Sequence, residues 1–317
     1  MPALLALALV IAGLTLLITG ADRLLHAAVS LARRWHLPQA VIGATLVAGG
    51  TSLPELAASV SGALGGQFGL AVGNVVGSNI ANIGLILGLV ALIAPLSVAP
   101  TIAWREWPLM LAVSALAAAC AWGLGAYPRW LCALFLATWI AHAWRSMRQG
   151  AGSEEAPAQH PPSAAWRALL WAALGSALLG VGGWLLIVGS AQLARAAGIS
   201  DAVIGLSIVA VGTSAPELVT SLLAAWRRQH QLAVANIVGS NTFNLLLILG
   251  VTGLFGTLPI AREILERDLW WMLGFALALP LAWGLTARRI ARFAAAVLLA
   301  GYVLYLAQLA AEALLAA

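Results

Sequence analysis

Charge is scarce in this chain, and lysine is absent. Only 9% of the 317 residues are charged, and all sixteen basic residues are Arg. An ordinary soluble domain carries about 25% charged residues. A water-soluble globule of this length could not cover its surface with so few. The deficit excludes a soluble enzyme, a nucleic-acid binder and a disordered chain. Cysteine is nearly missing too. Cys120 and Cys132 lie in separate apolar segments and read as small buried hydrophobes, so a disulfide framework is not supported. There is no HExxH run, and no His or Lys stands in the motifs that contain Ser52 and Ser214. An intramembrane hydrolase would need such a base or a metal, so the chain is not expected to be an enzyme or to carry a cofactor.

What is present is apolar: 62% of the residues are hydrophobic, and the mean hydropathy is +0.97. The expected class is an all-α polytopic membrane protein. Runs long enough to span a bilayer as helices fall at 3–21, 38–64, 68–94, 103–125, 127–145, 165–189, 200–226, 230–256, 269–287 and 291–314. The first run lacks the basic flank of a signal peptide and is read as a first transmembrane helix. Gly150 to Ser163, with Glu154, Glu155, His160, Pro157, Pro161 and Pro162, is a polar linker. It separates a first five-helix unit, 1–149, from a second, 164–317. Twelve arginines fall on one side of this plan: Arg23, Arg33, Arg34, Arg105, Arg145, Arg148, Arg167, Arg227, Arg228, Arg288, Arg289 and Arg292. Four fall on the other: Arg129, Arg195, Arg262 and Arg267. The richer side should be cytoplasmic, which puts the linker inside and both termini outside. Many of the 14 Trp lie near span ends, as an interfacial belt requires.

Residues 41–90 and 203–252 align without a gap at an offset of 162, with 27 of 50 positions identical. GTSLPEL at 50–56 returns as GTSAPEL at 212–218, and NVVGSNIAN at 74–82 returns as NIVGSNTFN at 236–244. Chance similarity between apolar helices would not preserve both motifs in order and at one separation. The chain is therefore an internal duplication. An odd number of spans per copy makes the second copy enter the membrane from the opposite side. Inverted repeats of this kind place a substrate site near mid-membrane at the repeat interface.

Of eleven acids, only Glu55 and Glu217 fall deep within apolar runs, and they occupy equivalent positions. An acid at the centre of a membrane helix costs about 2.5–3.5 kcal/mol on insertion scales. Pro54 and Pro216 precede them. Proline has no N–H and clashes with the carbonyl four residues back, here that of Gly50 or Gly212. Each helix should break just before its Glu, and Thr51, Ser52, Thr213 and Ser214 place hydroxyls at the breaks. Ser78 and Asn82 share a helix face, as do Ser240 and Asn244. Asn74, Asn79, Asn236 and Asn241 are expected to hydrogen-bond between helices. Gly73 with Gly77, and Ala235 with Gly239, should allow close packing. The candidate donors are all oxygens, which suits hard cations. Two carboxylates match one Ca²⁺, two or three Na⁺, or protons.

These paired motifs resemble the two alpha-repeats (41–90 and 203–252) of the sodium/calcium exchanger family, in the cation/calcium antiporter superfamily, and the chain looks like a prokaryotic member. The resemblance implies a core of helices 2, 3, 7 and 8 against which helices 1 and 6 slide, in an inner or plasma membrane. It implies an ion site centred on Glu55 and Glu217. Thr51, Thr213, Ser52, Ser214, Ser78 and Ser240 would contribute oxygens, Ala48 and Ala210 carbonyls, and Asn82 and Asn244 the middle. Members of the potassium-dependent branch carry an acid where Asn244 stands, so the resemblance argues against K⁺ cotransport. Measured from Gly20 to Gly43, the first copy has 23 residues where the second, from Gly189 to Gly205, has 16. The link from helix 6 to helix 7 is therefore expected to be about two helical turns shorter.

Ca²⁺/Na⁺ antiport is the leading reading, with Ca²⁺ and Na⁺ as the travelling partners beside membrane lipid. A proton-coupled antiporter of Ca²⁺ or another divalent cation remains open, because the same glutamates could carry H⁺. A cation channel is the more distant alternative.

Overall fold

Lipid offers the backbone no hydrogen-bond partners, so apolar runs of this length close their bonds within helices. The computed structural model describes residues 3–150, 164–197, 210–284 and 288–316. The linker beyond Gly150, the first residues of the second motif (203–209), and the ends of two expected spans (200–209 and 285–287) lie outside the described residues. The rest is mostly helical: α1 Ala3–Arg34, α2 in two arms (Gln39–Thr51 and Leu53–Leu64), α3 Phe68–Ile93, α4 Ile102–Leu124 and α5 Arg129–Gly150. The second copy gives α6 Ala165–Ala196, α7 in two arms (Ala210–Thr213 and Ala215–Trp226), α8 His230–Phe255, α9 (Ile264–Asp268 continued by Leu269–Gly284) and α10 Arg292–Ala316. Among the described residues six helices are long and apolar enough to cross a membrane, or seven if the two arms of α2 form one span.

Two expectations change here. The first and sixth spans are longer than the runs 3–21 and 165–189: α1 and α6 each have 32 residues, about 48 Å at 1.5 Å per residue. That exceeds a hydrocarbon core of about 30 Å. The charges that seemed to end the first span are held by partners: Asp22 pairs with Arg227, and the Arg23 guanidinium stacks 4.8 Å over the Trp171 ring. The expected shortening between helices 6 and 7 is also wrong. α6 begins and ends 162 residues after α1, so Gly182 is the counterpart of Gly20, and Gly182 to Gly205 is again 23 residues. Gly189 was the wrong reference point, because glycine recurs at 175, 182 and 189 along the same helix face.

Those glycines make the α1–α6 contact. A Cβ on Gly20 would lie 2.7 Å from the Gly175 carbonyl oxygen, and one on Gly175 2.8 Å from that of Gly20. Gly13 and Gly182 repeat the arrangement, with 2.8 and 2.9 Å to each other's carbonyl oxygens, and Gly189 faces Ala6. As one number rises the other falls, so the two equivalent helices run antiparallel with their backbones in near contact.

The same exchange recurs throughout the fold. α8 packs against the first arm of α2, where Gly239 lies so close to Ala44 that a Cβ would overlap its backbone. α5 packs on α8, and its counterpart α10 packs on α3. The all-α expectation needs a small amendment. Four two-residue strands, β1 Leu96–Ser97, β2 Ala126–Tyr127, β3 Leu258–Pro259 and β4 Arg289–Ile290, form two antiparallel pairs. Leu96 pairs with Ile290 and Tyr127 with Leu258. Each pair joins one copy to the other, so the halves are stitched together at both ends. Cys120 and Cys132 are free thiols, and Cys132 is buried, packing near Gly250 of α8.

Filling the α1–α6 seam should be costly. Gly182→Val is expected to lower stability by about 1–3 kcal/mol through overpacking, read as a fall in thermal midpoint in detergent. Gly123→Val, at a position with no neighbour within 4 Å, should leave the midpoint nearly unchanged.

Candidate cation-binding site

The break expected before each glutamate is present. α2 bends by 47° between its arms. Ser52 at the bend has φ −87° and ψ 8°, and Ser214 has φ −89° and ψ 8°. The second arm of each helix therefore starts afresh with its Glu in the first turn, where free N–H groups and the helix dipole favour negative charge. Ser-x-x-Glu at a helix start is also the pattern of a capping box, yet neither serine caps its own helix. Ser52 Oγ donates instead to Glu217 Oε1 of the other copy, at 2.8 Å. The motif works across the interface between copies.

Both glutamates are 1% exposed. Neither has an ion-pair partner among the described residues. Two acids placed at span ends by the sequence, Glu106 and Asp268, are buried as well, but they are compensated. Glu106 meets His142 at 3.2 Å and Arg105 at 3.7 Å, and Asp268 meets Arg267 at 2.7 Å. Their partners belong to elements or rotamers that the apolar pattern does not reveal.

Around the carboxylates the two copies trade hydrogen bonds. Asn79 Nδ2 donates to the Asn241 carbonyl oxygen and Asn241 Nδ2 to that of Asn79, each at 3.2 Å. Asn82 Nδ2 donates to Asn241 Oδ1 at 2.9 Å, and Asn244 Nδ2 to Asn79 Oδ1 at 3.0 Å. Asn74 and Asn236 donate to Ser59 and Ser221, each at 3.0 Å. The interhelical role expected of Asn74, Asn79, Asn236 and Asn241 is thus met. A π turn begins at Asn82 and another at Asn244; such turns recur at functional sites. The segment starting at Asn244 packs on the arm carrying Glu55, and the segment starting at Asn82 on the arm carrying Glu217.

The remaining sequence candidates fall on the same elements. Thr51 Oγ1 lies 3.2 Å from Asn236 Oδ1 and 3.5 Å from Ser240 Oγ. Its hydroxyl also reaches the Ala48 carbonyl at 3.1 Å, which accepts the Ser52 N–H as well. That carbonyl is therefore already engaged in this arrangement. Ser78, Ser214 and Ser240 are buried, Thr213 ends the first arm of α7, and Ala210 is the first described residue of that arm. Ser59, Ser221, Thr220 and Ser176 were missed. Ser59 and Ser221 support Asn74 and Asn236. Thr220 Oγ1 is buried without a partner, and Ser176 of α6 closes on Gly50 at the break. All are polar residues in apolar helices, a signal the sequence contained but spread over too many serines and threonines to single out.

The unpartnered buried atoms are informative. Glu55 Oε2, Glu217 Oε2, Asn82 Oδ1, Asn244 Oδ1 and Ser214 Oγ have no hydrogen-bond partner. Buried acceptors left unmatched cost about 1–3 kcal/mol each, more when charged. The four carboxylate and amide atoms can only accept, so a hydroxyl, a proton or a hard cation would satisfy them.

The family model described as "Sodium/calcium exchanger protein" matches this chain twice, at residues 5–147 and 167–310. Those two stretches begin 162 residues apart, as the motifs do. The chain is 36% identical over 315 residues to inner membrane protein YrbG of Escherichia coli, covering 96% of this chain and 97% of YrbG. It is 30% identical over 334 residues to sodium/calcium exchanger MaX1 of Methanosarcina acetivorans, with 93% and 95% covered. Its fold superposes on a Na⁺-soaked structure of the sodium-calcium exchanger NCX_Mj with a TM-score of 0.83 and 30% identity, covering 96% of this chain and 99% of that one. The chain belongs to the sodium/calcium exchanger protein family.

Proposed function

We propose that this protein is a secondary antiporter that exchanges Ca²⁺ for Na⁺ across a prokaryotic inner or plasma membrane by alternating access. The observation that carries the reading is the pair of buried carboxylates, Glu55 and Glu217, which among the described residues have no basic partner and each keep an oxygen without a hydrogen bond. One Ca²⁺ cancels their combined charge. Two bidentate carboxylates with the Asn82 and Asn244 amide oxygens offer six oxygens, the lower bound of what Ca²⁺ takes. Na⁺ ions would share the carboxylates and use the hydroxyls of Thr51, Thr213, Ser52, Ser214, Ser78 and Ser240 at the flanks. The Ala210 carbonyl would join them, and that of Ala48 would do so once Thr51 turned away. Without any cation, two unpaired charges would face each other in a low-dielectric interior, and that cost opposes return of an empty carrier. Obligatory exchange follows from it.

The architecture in this reading is ten spans in two inverted five-helix repeats, 1–149 and 164–317, joined by a cytoplasmic linker at 150–163. The antiparallel seam of α1 and α6 and the interleaving of the copies support the inversion. The arginines support the orientation. Arg227 with Asp22 and His26, Arg105 with Ser146, and Arg292 with the Leu92 carbonyl all join elements at the arginine-rich side. Arg129 with the Phe255 carbonyl and Arg267 with Glu312 join elements at the other. Both termini are then outside.

The coupling ion is decided in vesicles. Ca²⁺ uptake should follow an outward Na⁺ gradient at fixed pH; uptake that ignored Na⁺ and tracked a pH gradient would replace Na⁺ by H⁺. Glu55→Gln and Glu217→Gln should each cut exchange by about 100-fold or more, equivalent to ~2.7 kcal/mol, with the protein still inserted at normal abundance. Near-normal ⁴⁵Ca²⁺ flux in either variant would contradict a two-carboxylate site. Asn244→Asp adds a third buried acid and should change the Na⁺ concentration that half-inhibits Ca²⁺ uptake, or its pH dependence. Superimposable curves would remove Asn244 from the site.

A further inference from the structure

An amide offers a cation an oxygen or an NH₂ group, depending on a half-turn of its end. Asn82 and Asn244 can serve a cation site only if their oxygens face it, and nothing in the two residues themselves fixes that choice. The neighbouring pair does. A backbone carbonyl only accepts. Asn241 therefore has to present Nδ2 to the Asn79 carbonyl at 3.2 Å, and Asn79 has to present Nδ2 to the Asn241 carbonyl at 3.2 Å. With Nδ2 committed, the oxygen of each brace amide points the other way. There it meets Nδ2 of a site amide: Asn241 Oδ1 takes that of Asn82 at 2.9 Å, and Asn79 Oδ1 that of Asn244 at 3.0 Å. Turning either site amide over would set oxygen against oxygen. Only one orientation survives, and it leaves Asn82 Oδ1 and Asn244 Oδ1 buried and unmatched.

We infer that Asn79 and Asn241 are positioning residues that lock the Asn82 and Asn244 amides with oxygen toward the site, and that this lock sets cation affinity. They need not touch the ion. Each acts across the interface on the other copy's site asparagine, so the two half-sites are set by one cross-braced unit. The inference rests on the cation-site reading above and adds to it the reason the amides read as oxygen only.

The brace separates cleanly by mutation, because its anchors are backbone atoms. Asn241→Ala keeps the 241 carbonyl, so Asn79 and through it Asn244 stay fixed, while Asn82 alone is released. In proteoliposomes this variant should raise the Ca²⁺ concentration for half-maximal ⁴⁵Ca²⁺ uptake by about tenfold, ~1.4 kcal/mol, with the rate at saturating Ca²⁺ changed less than twofold. Asn82→Asp removes the need for a lock, since its two oxygens are equivalent, and makes Asn241 Oδ1 a repulsive neighbour. In that background, adding Asn241→Ala should leave half-saturation unchanged or lower it. An equal loss in both backgrounds, as a packing role would give, overturns the inference. If Asn241→Ala does not reach the membrane, the mirror cycle of Asn79→Ala with Asn244→Asp makes the same prediction on the other half-site. Failure of the parent reading looks different: wild-type vesicles would show no saturable Ca²⁺ uptake. That result would remove both.

Discussion

Two carboxylates are held in an apolar interior with no basic partner among the described residues, and the surrounding polar network is arranged around that cost. Elsewhere the chain treats buried acids in the ordinary way: Glu106 has His142 and Arg105, and Asp268 has Arg267. At Glu55 and Glu217 the protein supplies only partial compensation, a helix N-terminus for each and the Ser52 hydroxyl for Glu217. Dipoles of this size contribute about 0.3–1 kcal/mol in exposed settings and up to about 2 kcal/mol when partly buried. That is less than a desolvated charge needs, and in the exchange reading proposed above the remainder comes from a cation or a proton. An arginine in the site would remove the deficit, and with it any reason to bind and release a cation.

Duplication is what makes so tense a site affordable to fold. The asparagines near the carboxylates occur twice and are satisfied reciprocally, whereas of the two break serines only Ser52 reaches the glutamate of the other copy. The asparagines of each copy finish the network of its partner. The glycines of α1 and α6 fit into one another's backbones. Neither copy can complete its polar bonds alone. The strain is therefore shared by an interface that also contains two short strand pairs and most of the core. A local opening at one glutamate would break contacts belonging to both halves, which ties the site to global stability.

Much of this was legible in the residues. The offset of 162, the two glutamates and the proline-induced breaks came from sequence because each depends on local rules: repeat spacing, the cost of a buried acid, and a missing N–H. The interhelical asparagines were legible as a class. What stayed hidden depends on contacts between distant residues. Asp22 and Arg23 look like the end of a span until Arg227 and Trp171 are placed beside them. Glu106 looks like an interfacial acid until His142 arrives from α5. Gly189 looked equivalent to Gly20 because three glycines share one face of α6, and only the α1–α6 crossing shows that Gly182 is its counterpart. The direction in which each amide points is invisible in a sequence, since it is set by bonds between residues about 160 positions apart.

The α1–α6 seam suits the exchange cycle proposed here for a reason apart from the site. Helices that interlock through large side chains cannot shift without lifting ridges out of grooves. Here the contact is glycine against backbone at three levels separated by seven residues, so the two backbones lie in near contact. α6 also touches both breaks: Ser176 approaches Gly50, and Ile187 approaches Gly212. In the proposed cycle, movement of the α1–α6 pair would reach both breaks through these contacts at Gly50 and Gly212.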